Sequence, residues 1–186
     1  MDSGTEHRVS TFCETARDVG ATVARASSPS ALRAELHSFL QEDDDVVHVA
    51  PDHPDSPYAQ CVSDVTQSIV DAPDEQVISS DVGVTPTFAG VARTGSVCLD
   101  PAHRRSGLLS LLPTTHVAVL EADRIVPRPR DLFEGNEDGP NAGPGNVLFV
   151  TGPSATADMG PLVKGVHGPG ALHILLLESG YFSEGS

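Results

Sequence analysis

The sequence predicts a single α/β domain layered on a mostly parallel sheet. Three observations predict it. Short, continuously apolar runs recur along the chain, VVHVA at 46–50, HVAVLE at 116–121 and LHILLL at 172–177, and continuous rather than alternating apolar runs mark strands buried on both faces. Between them, apolar residues fall at helical spacing. The length, 186 residues, suffices for one hydrophobic core and is short for two.

Taken in order, Val9, Phe12, Ala16 and Val19 share one helical face, and Gly20 stands where a helix stops. Residues 21–26 alternate as a strand and run into Ser27, Ser28 and Pro29; Leu32, Leu36, Phe39 and Leu40 then mark a second helix that starts at Ser28 or Ser30. An acidic link, residues 42–45, leads into the strand at 46–50, bounded by Pro51 and Pro54. Cys61, Val65, Ile69 and Val70 suggest a third helix, followed by a short apolar step at Val77 and Ile78.

Residues 81–99, rich in Gly and Thr, read as strand, turn, strand, and 104–112 as a short helix ended by Pro113. A strand over 116–121, an extended step at Ile125 and Val126, and a brief helix over 130–134 follow. Residues 135–145 hold four Gly, two Pro and two Asn in eleven positions and read as an exposed, flexible loop. After it come a strand at 147–150, a Gly/Ser/Thr turn, and the strand at 172–177. No internal repeat is evident, and residues 1–186 read as one domain.

Charge narrows the function. With 26 Asp plus Glu against 11 Lys plus Arg, the formal net charge is −15, and Lys164 is the one lysine. Such a surface repels nucleic acid, and no cationic stripe exists to displace counterions from phosphates; Arg124, Arg128 and Arg130 come nearest. Self-repulsion destabilises a compact chain in dilute buffer, where screening acts over ~10 Å, and is relieved in molar salt, where it acts over ~3 Å. Acid excess with almost no lysine points to a halophile's cytoplasm; an acidic partner-binding surface is the alternative. Cys13, Cys61 and Cys98 are isolated, without metal-ligand or disulfide spacing, and read as reduced, mostly buried thiols. No apolar run reaches the ~20 residues a bilayer demands, and the N-terminus lacks signal-peptide character, so the expectation is a cytoplasmic protein with no membrane span.

Three glycine-rich patches are the candidate chemistry. The first, TGPSATAD at 151–158, follows a strand. Gly152 permits an unusual backbone angle, and Ser154, Thr156 and Asp158 offer side chains suited to a helix start, where N–H groups could cradle a phosphate or carboxylate; a ligand-free cap and turn is the competing reading. The second, Thr94, Gly95 and Ser96, is a turn of small residues that either admits a ligand or merely closes a hairpin. The third, KGVHGPG at 164–170, holds Lys164, His167 and Gly168. His167 is either a general acid–base or a strand cap. His116, opening a strand, is a secondary candidate and reads as a buried, satisfied histidine. His48, Asp52 and His53 come nearest to a metal cluster without making one, so no metal is expected. The chain has no GxSxG elbow, P-loop or GxGxxG.

TGPSATAD followed by GVHGPGALHILLL closely resembles the carboxyl-terminal signature of the LUD-domain family, as DVGVTPTFAGVARTGSVCL and SLLPTTHVAV resemble its upstream strands. The likeness covers roughly residues 81–177 and is closest to the short, cluster-free LutC/YkgG branch. It implies a three-layer α/β sandwich similar to the NagB/RpiA/CoA-transferase-like fold, with small ligands over glycine-rich turns. It also implies a role in lactate utilisation beside iron–sulfur partner subunits, no cofactor in this chain, and a small anionic ligand. Matching motif positions are Thr94, Gly95, Ser96, Gly152, Ser154, Thr156, Asp158, His167 and Gly168; Lys164 joins them from the residue reading. Met159 and Gly160 stand where the family often has Ile and an acidic residue. The alternative is a free-standing transferase- or isomerase-like enzyme on a phosphorylated or CoA-linked molecule, with Asp158 or His167 as base.

Overall fold

The computed structural model describes residues 3–40, 46–50, 57–66, 68–70, 73–100, 104–134, 146–156, 163–165 and 167–178. The glycine-rich stretch 135–145 and Asp52, His53 and Asp158 lie outside them.

Helix α1 spans Ser3–Asp18 and buries Val9, Phe12, Cys13 and Ala16 on one face. Gly20 ends it with φ 92°, a left-handed conformation that a side chain disfavours. Strand β1 (Thr22–Ala26) follows, then α2 (Pro29–Phe39), whose cap is Ser28: its hydroxyl accepts from the Ala31 amide, and proline occupies the first helical turn. Beyond these come β2 (Val47–Val49), α3 (Pro57–Val65), β3 (Ser68–Val70) and α4 (Asp74–Val77). One sequence expectation gives way here. Ile69 and Val70 leave the helical register of Cys61 and Val65 and pair with β2 instead; the short apolar step at Val77 closes the single turn of α4. At Ile69 and Val70 tertiary pairing overrides a short local pattern.

Strands β4 (Val82–Pro86), β5 (Ala89–Val91) and β6 (Ser96–Leu99) precede α5 (Arg104–Leu109) and β7 (Thr115–Glu121). Strands β8 (Ile125–Val126), β9 (Leu148–Val150), β10 (Ala155–Thr156), β11 (Val163–Lys164) and β12 (Ala171–Leu177) complete the order. Between β8 and β9 the brief helix is a 3₁₀ turn, Pro129–Leu132.

Six strands form the central sheet in the order β1-β12-β7-β4-β2-β3, and every neighbouring pair is parallel. Register sorts its side chains. One face carries Val47, Val49, Val82, Val84, Val117, Val119, Leu175 and Leu177, packed with Leu32, Leu36 and Phe39 of α2 and Cys61 and Val62 of α3. The other carries Ala118, Leu120, Leu172, Ile174 and Leu176 against Val9, Phe12, Cys13 and Ala16 of α1. The molecule is thus an α/β fold with a parallel central sheet flanked by helices. Each fully buried Leu or Ile contributes ~1.5–3 kcal/mol of transfer free energy.

A second sheet, β8-β5-β6-β9, lies on the α1 side, where Val97 and Ile125 join the same core. The chain changes sheets between two adjacent residues: the Thr87 amide bonds to Val119 O of β7, and the Phe88 amide to Cys98 O of β6. The expected strand at 147–150 therefore belongs to this antiparallel pairing with β6 and not to the parallel sheet.

Candidate functional site

The TGPS turn, Thr151–Ser154, leaves β9 with Gly152 at φ 72°. A Cβ at Gly152 would overlap the Val19 carbonyl at the end of α1, so only glycine lets the turn pass that close. The sequence reading expected a helix start at this turn; the described residues that follow, Ala155 and Thr156, instead extend and pair antiparallel with Lys164 and Val163. The reason is a set of cross-chain bonds. Ser154 N donates to Pro169 O at 2.8 Å, Gly165 N donates to Ser154 O at 2.9 Å, and His167 N approaches Ser154 Oγ at 3.4 Å. Ser154 thereby fastens the first glycine patch to the third. Gly170 N bonds to Thr114 O at 2.8 Å, which carries the HGPG turn into β12 beside β7.

These two turns wall a cavity of about 210 Å³. Its walls are Leu148–Ser154, His167–Pro169 and Ser110–Leu111 after α5; its floor is His116 and Leu172, register partners at the first turns of β7 and β12. The cavity sits at the amino ends of those two strands, although its TGPS wall follows the carboxyl end of β9. Most of the lining is apolar, with hydroxyls from Ser110, Thr151 and Ser154, two imidazoles, and no Arg, Lys, Asp or Glu among the described lining residues.

Of the residues singled out from sequence, Gly152, Ser154, His167 and Gly168 line this cavity. Thr156 and Lys164 pair through their backbones with Val163 and Ala155 in the adjoining hairpin. Asp158 lies outside the described residues. Thr94, Gly95 and Ser96 stand apart. Gly95 has φ 64°, a Cβ there would overlap the backbone of Ala16, and Thr15 Oγ1 donates to Ala92 O at 2.6 Å, so this turn is seated on α1. A hydroxyl chain still connects it to the cavity: Thr94 Oγ1 to Ser96 Oγ at 2.7 Å, and Ser96 Oγ to Thr151 Oγ1 at 2.7 Å.

His116 gains most from the structure. Its side chain is fully buried; Nε2 pairs with Thr85 Oγ1 at 2.7 Å, and Nδ1 has no partner. Burial pushes its pKa down to about 3, so the ring is neutral at ordinary pH. The sequence reading took it for a satisfied core histidine; it is buried but only half satisfied. The signal available in sequence was a polar residue opening an otherwise apolar strand. His48, on the same sheet face across Gly83, pairs with Ser80 and also keeps a buried nitrogen without a partner, but it does not reach the cavity.

The three cysteines are buried in three different core clusters. Burial raises the Cys13 thiol pKa and takes that of Cys98 up to about 12, so these thiols stay protonated. Among the described residues there is no group of three or more His, Cys, Asp or Glu suited to a metal ion, and no helix long and apolar enough to cross a membrane.

A parallel α/β sheet whose two carboxyl-terminal signature turns close over one cavity defines the class of protein. Residues 9–177 match the LUD domain, and the chain belongs to the LUD-domain family. Lactate utilization protein C of Oceanobacillus iheyensis is 33% identical over 124 residues, covering 62% of this chain and 53% of that protein. Lactate utilization protein C of Bacillus subtilis is 36% identical over 94 residues, covering 48% and 39%. The chain spans about half the length of the curated relatives it matches. The fold is shared with a DUF162 family protein of Deinococcus radiodurans, with TM-score 0.63 and 20% identity over 93% of this chain and 98% of that one.

Proposed function

We propose that this chain serves lactate utilisation as a cluster-free subunit that holds a small anionic ligand in the cavity beside Ser154 and docks onto iron–sulfur partner subunits. The observation that carries the reading is the meeting of the TGPS and HGPG turns around one cavity, in a chain whose relatives include lactate utilization protein C. Three buried cysteines in separate clusters support a subunit that leaves cluster chemistry to its partners. With no cationic side chain among the described lining residues, hydroxyls and backbone N–H groups are left to hold an anion, which suits a singly charged carboxylate better than the doubly charged phosphate of the alternative free-standing enzyme.

Two measurements test this. A strain lacking the gene should fail to grow on L-lactate and recover with the wild-type gene; unchanged growth would sink the role. Tagged protein purified in molar KCl from lactate-grown cells should bring down iron–sulfur proteins and lactate-dependent dye reduction that the isolated chain lacks. A lone chain that turns over sugar phosphates or acyl-CoA would favour the enzyme instead.

A further inference from the structure

The cavity changes character along one stretch of its wall. Leu148 and Val150 share a face of β9, because alternate residues of a strand point the same way, and Thr151 and Ser154 follow them. At ~3.3 Å per residue, the hydroxyls begin about 10 Å along the chain from Leu148. Leu111 after α5 and Leu172 on the floor add to the apolar part.

Among the described lining residues, the polar side chains within a ligand's reach are Thr151, His167 and Ser154; the first two are exposed and Ser154 is half-buried. Ser110 is buried, and its hydroxyl donates to Gly107 O at 2.8 Å. His116 is fully buried, with Nε2 on Thr85 and Nδ1 enclosed by packing. Ser154 differs. Its Oγ accepts from His167 N at 3.4 Å, which occupies a lone pair, and its own hydrogen meets no acceptor among the described residues. This hydroxyl lies between the two turns: a Cβ added at Gly168 would stand 3.8 Å from it.

These features select a ligand. A group placed against Leu148, Val150 and Leu172 must be apolar, since a charge there would be desolvated with nothing to pair it. A carboxylate at the Ser154 end takes the free hydrogen on one oxygen and keeps water on the other, so it needs no cation. The volume, about 210 Å³, equals that of about seven waters at ~30 Å³ each, room for an acid of a few carbons.

Resting on the lactate reading above, we infer that the cavity is a site for short-chain aliphatic monocarboxylates. Ser154 donates its hydroxyl hydrogen to the carboxylate, and Leu148 with Val150 bounds the tail, so tail length sets affinity and a second charge is excluded. L-Lactate enters this class through its methyl group.

Calorimetric titration of the purified full chain with acetate, propionate, butyrate, L-lactate, succinate and inorganic phosphate tests the inference. Molar KCl confines repulsion from the net charge to ~3 Å, so discrimination between these anions reports the cavity and not the surface. Affinity should rise about fourfold per methylene from acetate to butyrate. L-Lactate should bind, and succinate, four carbons long like butyrate, should bind more weakly than butyrate by about tenfold or more. Ser154→Ala keeps the backbone bonds to Pro169 and Gly165 and should weaken acetate, propionate and butyrate alike, by about tenfold. Leu148→Ala should leave acetate binding unchanged and flatten the gain per methylene. A merely structural role would not separate the two variants in this way. Should Leu148→Ala not fold, Leu111→Ala, at an exposed position, is read by the same slope. Succinate or phosphate binding as tightly as butyrate, no gain from acetate to butyrate, or a series unchanged in both variants overturns the inference. If no monocarboxylate binds while the deletion strain still fails on lactate, the inference falls and the role stands. If growth on lactate is unaffected yet butyrate binding depends on Ser154, the role falls and the inference stands.

Discussion

Two turns of this molecule begin with the same pair of residues and end differently. Thr94-Gly95 and Thr151-Gly152 both place a left-handed glycine where a side chain would overlap the backbone of α1, and both close with a serine one or two residues on. The first turn seats Gly95 on α1, and Ser96 is buried. The second meets the residues just past α1 through Gly152 and Pro153, and lines the cavity beside the HGPG turn. Glycine in a TG turn therefore reports close backbone approach in both places, and only the neighbours of the turn decide whether a ligand can reach it.

The largest effect that could break the comparison is in the glycines. Gly95→Ala and Gly152→Ala should each cost about 3 kcal/mol, combining ~1–3 kcal/mol for left-handed strain and ~1–3 kcal/mol for overpacking against α1. Chemical denaturation should show similar losses for the two, whereas ligand titration of the folded fraction should weaken only for Gly152→Ala. Equal weakening by Gly95→Ala would erase the distinction.

Next comes pH. The folded pKa of His116 is depressed to about 3, below its unfolded value near 6.5, so its contribution to stability is present above pH 6.5 and is lost as pH falls toward 3, because the unfolded chain takes up a proton that the folded one refuses. Between pH 8 and pH 5 this amounts to about 2 kcal/mol, with His48 and His173 acting in the same direction through burial. Unfolding midpoints should fall over that range, and less steeply in His116→Leu; identical slopes would mean that His116 is not held neutral in the folded chain.

A smaller effect probes the hydroxyl chain that joins the two turns. Ser96→Ala should cost about 1 kcal/mol, since it removes the buried link between Thr94 and Thr151. Smallest is the exposed Arg33–Asp64 pair, where Asp64→Ala should leave the unfolding midpoint nearly unchanged and any loss should vanish in high salt.

How far these features were legible follows from where the information resides. The α1 face, the Ser28 cap of α2, and the strands at 116–121 and 172–177 were readable because each is a local pattern of spacing or capping. The second sheet was not, because the change of sheet between Thr87 and Phe88 depends on partners at Val119 and Cys98 and leaves no local mark. Ile69 and Val70 continued a helical spacing and became a strand for the same reason. Of the residues singled out from sequence, Gly152, Ser154, His167 and Gly168 line the cavity. The sequence reading mistook the TGPS turn for a helix start because the bonds from Ser154 to Gly165 and Pro169 arise across residues far apart in the chain. His116 was visible as a polar opening to an apolar strand, but its free nitrogen is a property of packing alone.

The central claim, that of the two similar turns only the one beside His116 serves a ligand, is tested most directly by following backbone amide resonances while L-lactate is added to the full chain. The account predicts saturable shifts at 151–154, 167–168 and 116, with 93–96 unmoved. Shifts centred on 93–96, or none anywhere at saturating lactate, would contradict it.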